Sequence, residues 1–285
     1  MIALPSLKQD LEFSNNLSEI IDVLKVSALI QFRSFQLKEK PNKNFLRQLD
    51  LDLSLLIDSG IKHPYLSGRQ SLPTAIVVVA SDEGFAGELN TLLVNAGVDL
   101  RKNIGDEIII LGERGARYLE EMKVGFLFFP GISAEVEFKE AEVIRDYLLK
   151  NYRRKFGRIV VVYPEFVSLT IQRTTVLQLL PYSSKDSSIA GKVNLKRVEG
   201  LLREPSPERI LDGLVWLWMG FKLWEIFWSA KQSEYAARIM HLEGSTQELS
   251  QVKQVLSFQY SRQMHALSDK TIREISAAKI LLEKK

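Results

Sequence analysis

The sequence predicts an α/β protein in which a mostly parallel sheet domain is inserted between long amino- and carboxyl-terminal helices that form an antiparallel coiled coil. Two patterns support this fold class. Apolar residues recur at heptad spacing near both ends of the chain. Between the ends, short β-branched runs alternate with helical stretches, as in a parallel sheet with helices on both faces. The terminal helices are longer than such a domain needs, which favours a shaft or strut over an isolated enzyme.

The amino-terminal helix is predicted over residues 14–38 and ends before Pro41. Its apolar positions alternate steps of four and three, so they fall on one face that can contact a partner helix. This predicted seam consists of Leu17, Ile21, Leu24, Ala28, Gln31 and Phe35. A second helical stretch is predicted over residues 45–57.

The first strand of the middle domain is predicted at residues 75–80, because Ala-Ile-Val-Val-Val-Ala is a continuous run typical of a strand buried on both faces. Further strands are predicted at 107–111, 125–129 and 159–163, with an edge strand or ribbon at 171–180. Helices are predicted between them at 86–95, 114–122 and 135–152. This order of strands and helices predicts a Rossmann-like domain.

The carboxyl-terminal part is predicted to be helical from Pro205-Ser206-Pro207 to the end of the chain, with a possible break at Gly244. Its predicted seam has leucines seven residues apart and continues after one shift in phase. The seam positions are Leu242, Leu249, Val252, Leu256, Tyr260 and Leu267. The predicted domains are therefore 1–58, 59–204 and 205–285.

Composition narrows the function classes. The chain has 285 residues, which is long enough to bury a core without disulfides. It has no cysteine and therefore offers no thiolate metal site. Its formal net charge is +3. That charge is too small to indicate nucleic-acid binding. Residues 210–228 hold all four tryptophans, but charged residues interrupt them and leave too short an apolar run for a membrane span. We expect a helix covered on more than one side, or rings exposed to a partner subunit.

The sequence predicts no catalytic, cofactor or metal site. A nucleotide-hydrolysing loop is absent, since Gly191-Lys192 is followed by valine and lacks the earlier glycine. Gly84 and Gly87 lie between a strand and a helix but form only a fragment of the dinucleotide fingerprint, so a tight turn and close packing are the expected roles. The three histidines are scattered without metal-ligand spacing.

Four segments of the chain match the motifs of one protein family. Ser81-Asp82-Glu83-Gly84-Phe85-Ala86-Gly87-Glu88-Leu89-Asn90 matches S-D-x-G-L-C-G-x-x-N, with Ala86 in place of cysteine. Ser233-Glu234-Tyr235-Ala236-Ala237-Arg238 matches S-E-x-A-A-R. Further matches lie at Ile20, Ala28 and Arg33 near the amino end, and at Tyr260, Arg262, Ala266, Ile272, Glu274 and Ile275 downstream. In these motifs the chain resembles the gamma subunit of F-type ATP synthases, where S-E-x-A-A-R lies at the start of the carboxyl-terminal helix.

This resemblance implies the central rotor shaft of a rotary ATP synthase or ATPase. The paired terminal helices would turn inside a ring of alpha and beta subunits, while the middle domain joins the epsilon subunit and the membrane c-ring. Torque transmission without catalysis by this chain is then expected, with no cofactor of its own. The implied location is the cytoplasmic face of a bacterial inner membrane, as a peripheral subunit.

The chain also departs from the family pattern, which implies a divergent member of the family, from an alternative or a specialised rotary ATPase. Polar positions thought to contact a catch loop on the surrounding ring are changed; the residues here are Met264, His265, Asp269 and Thr271. Two other function classes stay open. A coiled-coil adaptor would explain the ends of the chain but not the matched motifs, and a Rossmann-like small-molecule enzyme would need a ligand site beyond Gly84 and Gly87.

Overall fold

The computed structural model describes residues 4–38, 40–58, 60–69, 71–183, 204 and 206–282, apart from the side chains at 278 and 280–282. The chain divides into two compact units, one formed by Gln31–Arg238 and the other by Met1–Ile30 with Ile239–Lys285. Both terminal helices contribute to both units. The domain borders placed after residues 58 and 204 from the sequence stay predictions.

The amino-terminal part forms two helices. The first, α1, runs Leu4–Gln36 and begins earlier than predicted, since Pro5 suits a first helical turn, where its missing N–H costs nothing. The second, α2, runs Lys43–Asp58 as predicted, with an apolar face of buried leucines. The Asn42 carboxamide oxygen accepts the N–H groups of Asn44 and Phe45, 3.0 and 3.3 Å away, and so caps α2.

The middle of the chain forms the predicted mostly parallel sheet. Its strands are β1 (Thr74–Val79), β2 (Glu107–Leu111), β3 (Phe126–Phe129), β4 (Arg158–Phe166) and β5 (Gln172–Leu180). The 5-stranded order is β3-β2-β1-β4-β5, with β5 antiparallel at the edge as predicted. The central strands β1 and β2 are almost fully buried, which explains their continuous apolar sequence.

Helices α3 (Leu89–Asp99), α4 (Glu113–Glu121) and α5 (Phe138–Asn151) connect the strands. The main core cluster lies where α3 and α4 meet β1 and β2. Gly97 in α3 allows this approach, because a Cβ there would lie 2.5 Å from a methyl group of Val78.

The carboxyl-terminal helix α6 is continuous over Pro207–Leu282, a length of 76 residues. The possible break at Gly244 is therefore wrong. Gly244 lies in helical backbone with open space where a side chain would be, so it costs helix propensity without interrupting the hydrogen bonds. The tryptophan-rich segment of α6 packs within the unit Gln31–Arg238.

Candidate functional site

The unit formed by the chain ends is an antiparallel helix pair. Lys25 of α1 lies 3.1 Å from Glu243 of α6. Earlier in α1, Leu11 and Asn15 border the same groove as Ser257 and Phe258, which come later in α6, so the two helices run antiparallel. The hydrogen bond to Glu243 raises the pKa of Lys25, and the same bond lowers the pKa of Glu243, so both stay charged at neutral pH.

The predicted seam of α1 faces inward except at Gln31, which is exposed. Ala28 is 1% exposed, and Leu17, Ile21 and Leu24 are partly buried, whereas neighbouring apolar residues such as Val23 are exposed. On α6, Leu242 is buried and Leu249, Leu256 and Tyr260 are partly buried. These positions agree with a heptad seam on each helix.

Two predicted seam residues of α6 are wrong. Val252 is 49% exposed, because the partly buried positions alternate steps of four and three through Lys253, which places Val252 one residue off the seam. Tyr260 follows Leu256 in the same alternation, so no shift of phase occurs. Leu267 keeps the heptad spacing but is 48% exposed. The other side chains described over 264–277 are exposed as well, so Leu267 lies in a stretch of α6 that is not covered.

In the other unit, the loop after β1 is fastened by its own polar side chains. The N–H of Ser81 donates to the Asn90 carboxamide oxygen at 3.0 Å, and the Asn90 amide donates back to Ser81 Oγ at 2.9 Å. Asp82 accepts the N–H of Glu113 at 2.9 Å and that of Gly131 at 3.2 Å, which ties together the loops that follow β1, β2 and β3. The first family-like segment is thus a brace at the carboxyl ends of the parallel strands.

The two glycines of that segment shape the same loop. Gly87 has φ of 57°, a left-handed conformation that favours glycine. Gly84 lies against Arg114, whose guanidinium would be 2.8 Å from an added Cβ. The turn and packing roles expected for these glycines agree with this geometry.

The second family-like segment belongs to a group of ions that we call the Arg238 cluster: Lys231, Glu234 and Arg238, which are buried on α6, and Glu83, which is exposed in the loop after β1. Arg238 Nη2 lies 2.6 Å from Glu234 Oε1, and Arg238 Nη1 lies 2.9 Å from Glu83 Oε2 in the loop after β1. Lys231 Nζ donates to the other Glu234 oxygen at 3.0 Å. The three members on α6 are 5% to 6% exposed.

The Arg238 cluster also bonds to the backbone of the sheet loops. Arg238 Nε donates to the Gly84 carbonyl at 3.2 Å, and Lys231 Nζ donates to the Ile132 carbonyl at 3.1 Å. Glu234 thereby pairs with both buried cations, Glu83 pairs with Arg238 as well, and carbonyl groups in the loops after β1 and β3 accept further hydrogen bonds from the two cations. Since an unbalanced buried charge is costly, α6 cannot shift along the sheet without breaking several charged contacts at once.

Small and hydroxyl side chains let α6 approach the sheet closely. Ser233 Oγ donates to the Pro164 carbonyl at 3.0 Å, and Ala236 is fully buried. Ala237 belongs to the core cluster together with Val78 and Val162. The S-E-x-A-A-R pattern therefore combines close packing with an ionic lock.

Aromatic rings join the end of α1 to the same stretch of α6. Phe35 stacks on Trp228 with ring centroids 4.2 Å apart and meets Tyr235 edge-on at 5.7 Å. Burial raises the pKa of Tyr235 to about 12, so its hydroxyl stays neutral beside the Arg238 cluster.

The remaining predicted positions lie far along α6. Arg262 is exposed, and Glu274 is exposed with a surface ion pair to Lys270 at 3.8 Å. The changed positions Met264, His265, Asp269 and Thr271 are exposed as well. The structure brings the two family-like motifs together and leaves this third set on the surface.

Sequence reasoning missed Lys231 and Glu83 as members of the Arg238 cluster. A signal was present, because Lys231, Glu234 and Arg238 fall three and four residues apart on one face of a predicted helix. Opposite charges at that spacing on a buried helix face indicate a paired ionic group.

In the part of the chain that the structure describes, His, Cys, Asp and Glu side chains form no group of three that could hold a metal ion. No helix in the described part of the chain has an apolar stretch long enough to cross a bilayer.

A mostly parallel sheet inserted between long terminal helices, with charged contacts from α6 to the loops of the sheet, defines the class of this protein. A family model described as ATP synthase matches residues 3–278. The chain belongs to the ATP synthase family, among its gamma chains.

Curated relatives span the whole chain at low identity. The ATP synthase gamma chain of Alkaliphilus metalliredigens is 24% identical over 281 residues, covering 96% of each chain. That of Chlorobaculum tepidum is 26% identical over 293 residues, covering 97% of this chain and 98% of the relative.

Solved structures share the fold. A chain of the Euglena gracilis mitochondrial ATP synthase, in an assembly described as OSCP/F1/c-ring, matches with a TM-score of 0.72 and 15% identity, covering 98% of this chain and 94% of that chain. A chain of the rotor of the same enzyme matches with a TM-score of 0.69, covering 93% and 98%. The predicted fold class and family resemblance are confirmed.

Proposed function

We propose that this chain is the central rotor shaft of an F-type rotary ATP synthase or ATPase. It transmits torque between catalytic beta subunits and a membrane c-ring. The observation that supports this role best is the Arg238 cluster, because buried ions fasten α6 to the sheet domain at the point where the two family-like motifs meet. A force applied to α6 is thereby passed to the sheet without slippage.

The helix pair supplies the asymmetry that a rotor needs. On α1 the exposed side of the pair carries Phe13, Ile20 and Val23, whereas on α6 it carries Val255 and Phe258. A surrounding ring of alpha and beta subunits meets unlike surfaces at different angles. Rotation therefore favours a different conformation, with a different nucleotide affinity, in each catalytic subunit in turn.

The chain contributes mechanics and leaves ATP chemistry to its partners. The partners we propose are the alpha and beta subunits, the epsilon subunit and the c-ring, with protons or sodium ions moved by the membrane ring. The chain would lie as a peripheral subunit on the cytoplasmic face of a bacterial inner membrane. Whole-length similarity to gamma chains supports this assignment.

Co-expression of the chain with the alpha and beta subunits encoded in its own genome tests the proposal. We expect one complex that contains a single copy of this chain and in which ATP hydrolysis turns a probe attached to the sheet domain. Subunit identification by mass spectrometry and single-molecule rotation are the measurements.

A complex that hydrolyses ATP but never rotates the probe would contradict the role of shaft. Failure of the chain to join alpha and beta subunits at all would overturn the assignment.

A further inference from the structure

A buried arginine of the sheet domain is seated in a socket on α6. Arg145 of α5 is 1% exposed, and its guanidinium carbon lies 3.6 Å from the centroid of the Trp216 ring. Gly220, one helical turn further along α6, provides the remaining space, because a Cβ there would lie 2.8 Å from Arg145 Nη1. The planar guanidinium therefore fits between a tryptophan ring and a glycine on one face of α6.

The charge of Arg145 is balanced from its own helix. Its Nε lies 2.8 Å from Asp146 Oδ1, and its Nη2 lies 3.4 Å from Glu142 Oε1. Nη1 is buried against α6 without a hydrogen-bond partner. A side chain held on one side by two carboxylates and pressed on the other into an aromatic socket has little freedom to move.

The socket lies in the tryptophan-rich segment, where hydrogen bonds from two other tryptophans also hold α6. Trp218 Nε1 donates to Asp50 Oδ1 at 2.8 Å, and Trp224 Nε1 donates to the Val136 carbonyl at 2.8 Å. These rings point to different sides of α6, so hydrogen bonds hold the helix from more than one side. Apolar contacts alone would permit small rotations, whereas a charged plane in a one-turn socket resists them.

We propose that Arg145 is a positioning residue that fixes the rotational setting of α6 about its own axis against the sheet domain. It acts as a second torque anchor, separate from the Arg238 cluster. This inference rests on the proposed function, because the setting of α6 matters only if the helix carries torque.

The test replaces Arg145 by Met in the complete complex, reconstituted in vesicles with its membrane ring. Met keeps much of the apolar volume and removes both charge and plane. We expect unloaded ATP hydrolysis to be unchanged and ion pumping against an imposed gradient to be lost. Hydrogen exchange of the α6 amides around Trp216 should become about tenfold faster.

Three further variants sharpen the result. Arg145→Lys keeps the charge but loses the flat stack, so we expect it to leave pumping impaired. Gly220→Ala displaces the guanidinium while improving helix propensity, and it should impair pumping without lowering the unfolding temperature. Arg117→Met makes the same substitution in the exposed pair with Glu113, and should behave like wild type.

Several outcomes would overturn the inference alone. One is full ion pumping by the Arg145→Met complex, and another is complete recovery of pumping in Arg145→Lys. A third is an equal fall of ion pumping and of unloaded ATP hydrolysis in Arg145→Met, accompanied by a loss of stability. If instead the wild-type chain supports no rotation, the proposed function itself fails.

Discussion

At the scale of single residues, the most consequential side chain is Glu234. It is 5% exposed and contacts both Arg238 and Lys231, and the second carboxylate that the two buried cations need is Glu83, paired with Arg238. Such an arrangement adds little when intact, because desolvation offsets attraction, but it is costly to break. Its value lies in fixing one position of α6 against the sheet.

Glu234→Gln removes that carboxylate charge with little change of shape. We expect the free energy of unfolding to fall by about 3 to 5 kcal/mol, because buried Lys231 loses its carboxylate partner and buried Arg238 is left with the exposed Glu83 as its counter-charge. Urea unfolding of the purified chain measures it. The matched control is Glu113→Gln, whose ion pair with Arg117 is exposed, and its effect should stay below about 1 kcal/mol. Equal losses in the two variants would argue against a special role for the cluster.

His63 predicts a pH dependence. Burial lowers its pKa below the ordinary value of 6.5, against the opposing attraction of Asp212, whose carboxylate lies 3.2 Å from Nε2. Nδ1 accepts the N–H of Tyr65 at 3.3 Å, so the neutral ring with a proton on Nε2 satisfies both contacts.

Because the folded state binds this proton more weakly than the unfolded state, the contribution of His63 is complete above pH 6.5 and is lost as the pH falls through the lowered folded value. Unfolding free energies measured across this range should decline toward acid. His63→Gln should flatten that decline. A decline of the same size in His63→Gln would assign it to other groups.

At the scale of elements, the helix pair follows from its seams. Leu249 and Leu256 are partly buried on α6, and Val252 and Val255 lie outward with exposures of 49% and 56%. The two sets share one helix and similar apolar character, so they form a matched pair for mutation.

The double variant Leu249→Asp with Leu256→Asp should separate the chain ends. Each aspartate would place a charge in an apolar seam, at a cost of at least about 2 kcal/mol. We expect lower helicity by circular dichroism and uncoupled hydrolysis in the complex. In the isolated chain, Val252→Asp with Val255→Asp should keep its helicity. Unchanged helicity and coupling in the leucine variant would contradict the seam.

Element types were predictable from sequence because local patterns determine them. The β-branched run at β1 and the apolar face of α2 each mark one kind of structure without reference to the rest of the chain. Helix ends and seam phase were less predictable. The seam position was assigned to apolar Val252 although charged Lys253 occupies it, because only the packed partner decides which side of the helix faces inward.

The candidate site was predictable only in outline. The motif around Arg238 could be recognised, but its contact with Glu83 joins residues far apart in the chain. The Arg145 socket left no local pattern, since a glycine and a tryptophan one turn apart on a helix have many other uses. Contacts of this kind depend on tertiary packing, which periodicity does not encode.

At the scale of the whole molecule, the last part of α6 is unlike the rest. Side chains described over 264–277 are exposed, including Ile272 at 59% and Ile275 at 63%. Exposed apolar residues along a helix favour contact with a partner. The proposed ring of alpha and beta subunits is a partner of that kind.

Ending the chain after Ser268 tests this separation of roles. Since the described side chains of the removed stretch, 269–277 and Lys279, are exposed, the free energy of unfolding of the isolated chain should change by less than about 0.5 kcal/mol. In the complex, coupling of hydrolysis to pumping should fall. A large loss of stability in the isolated chain would mean that this stretch supports the chain's own fold.

The placement of α6 has a consequence for small molecules. In open parallel sheets, ligands settle in the crevice where neighbouring strands send their connections to opposite sides. In the order β3-β2-β1-β4-β5 that switch point lies between β1 and β4. Here Ser233 bonds to Pro164 of β4 and Arg238 bonds to Gly84 after β1, so a piece of the same polypeptide occupies the crevice. The crevice in which folds of this kind bind nucleotides therefore holds the chain's own helix α6.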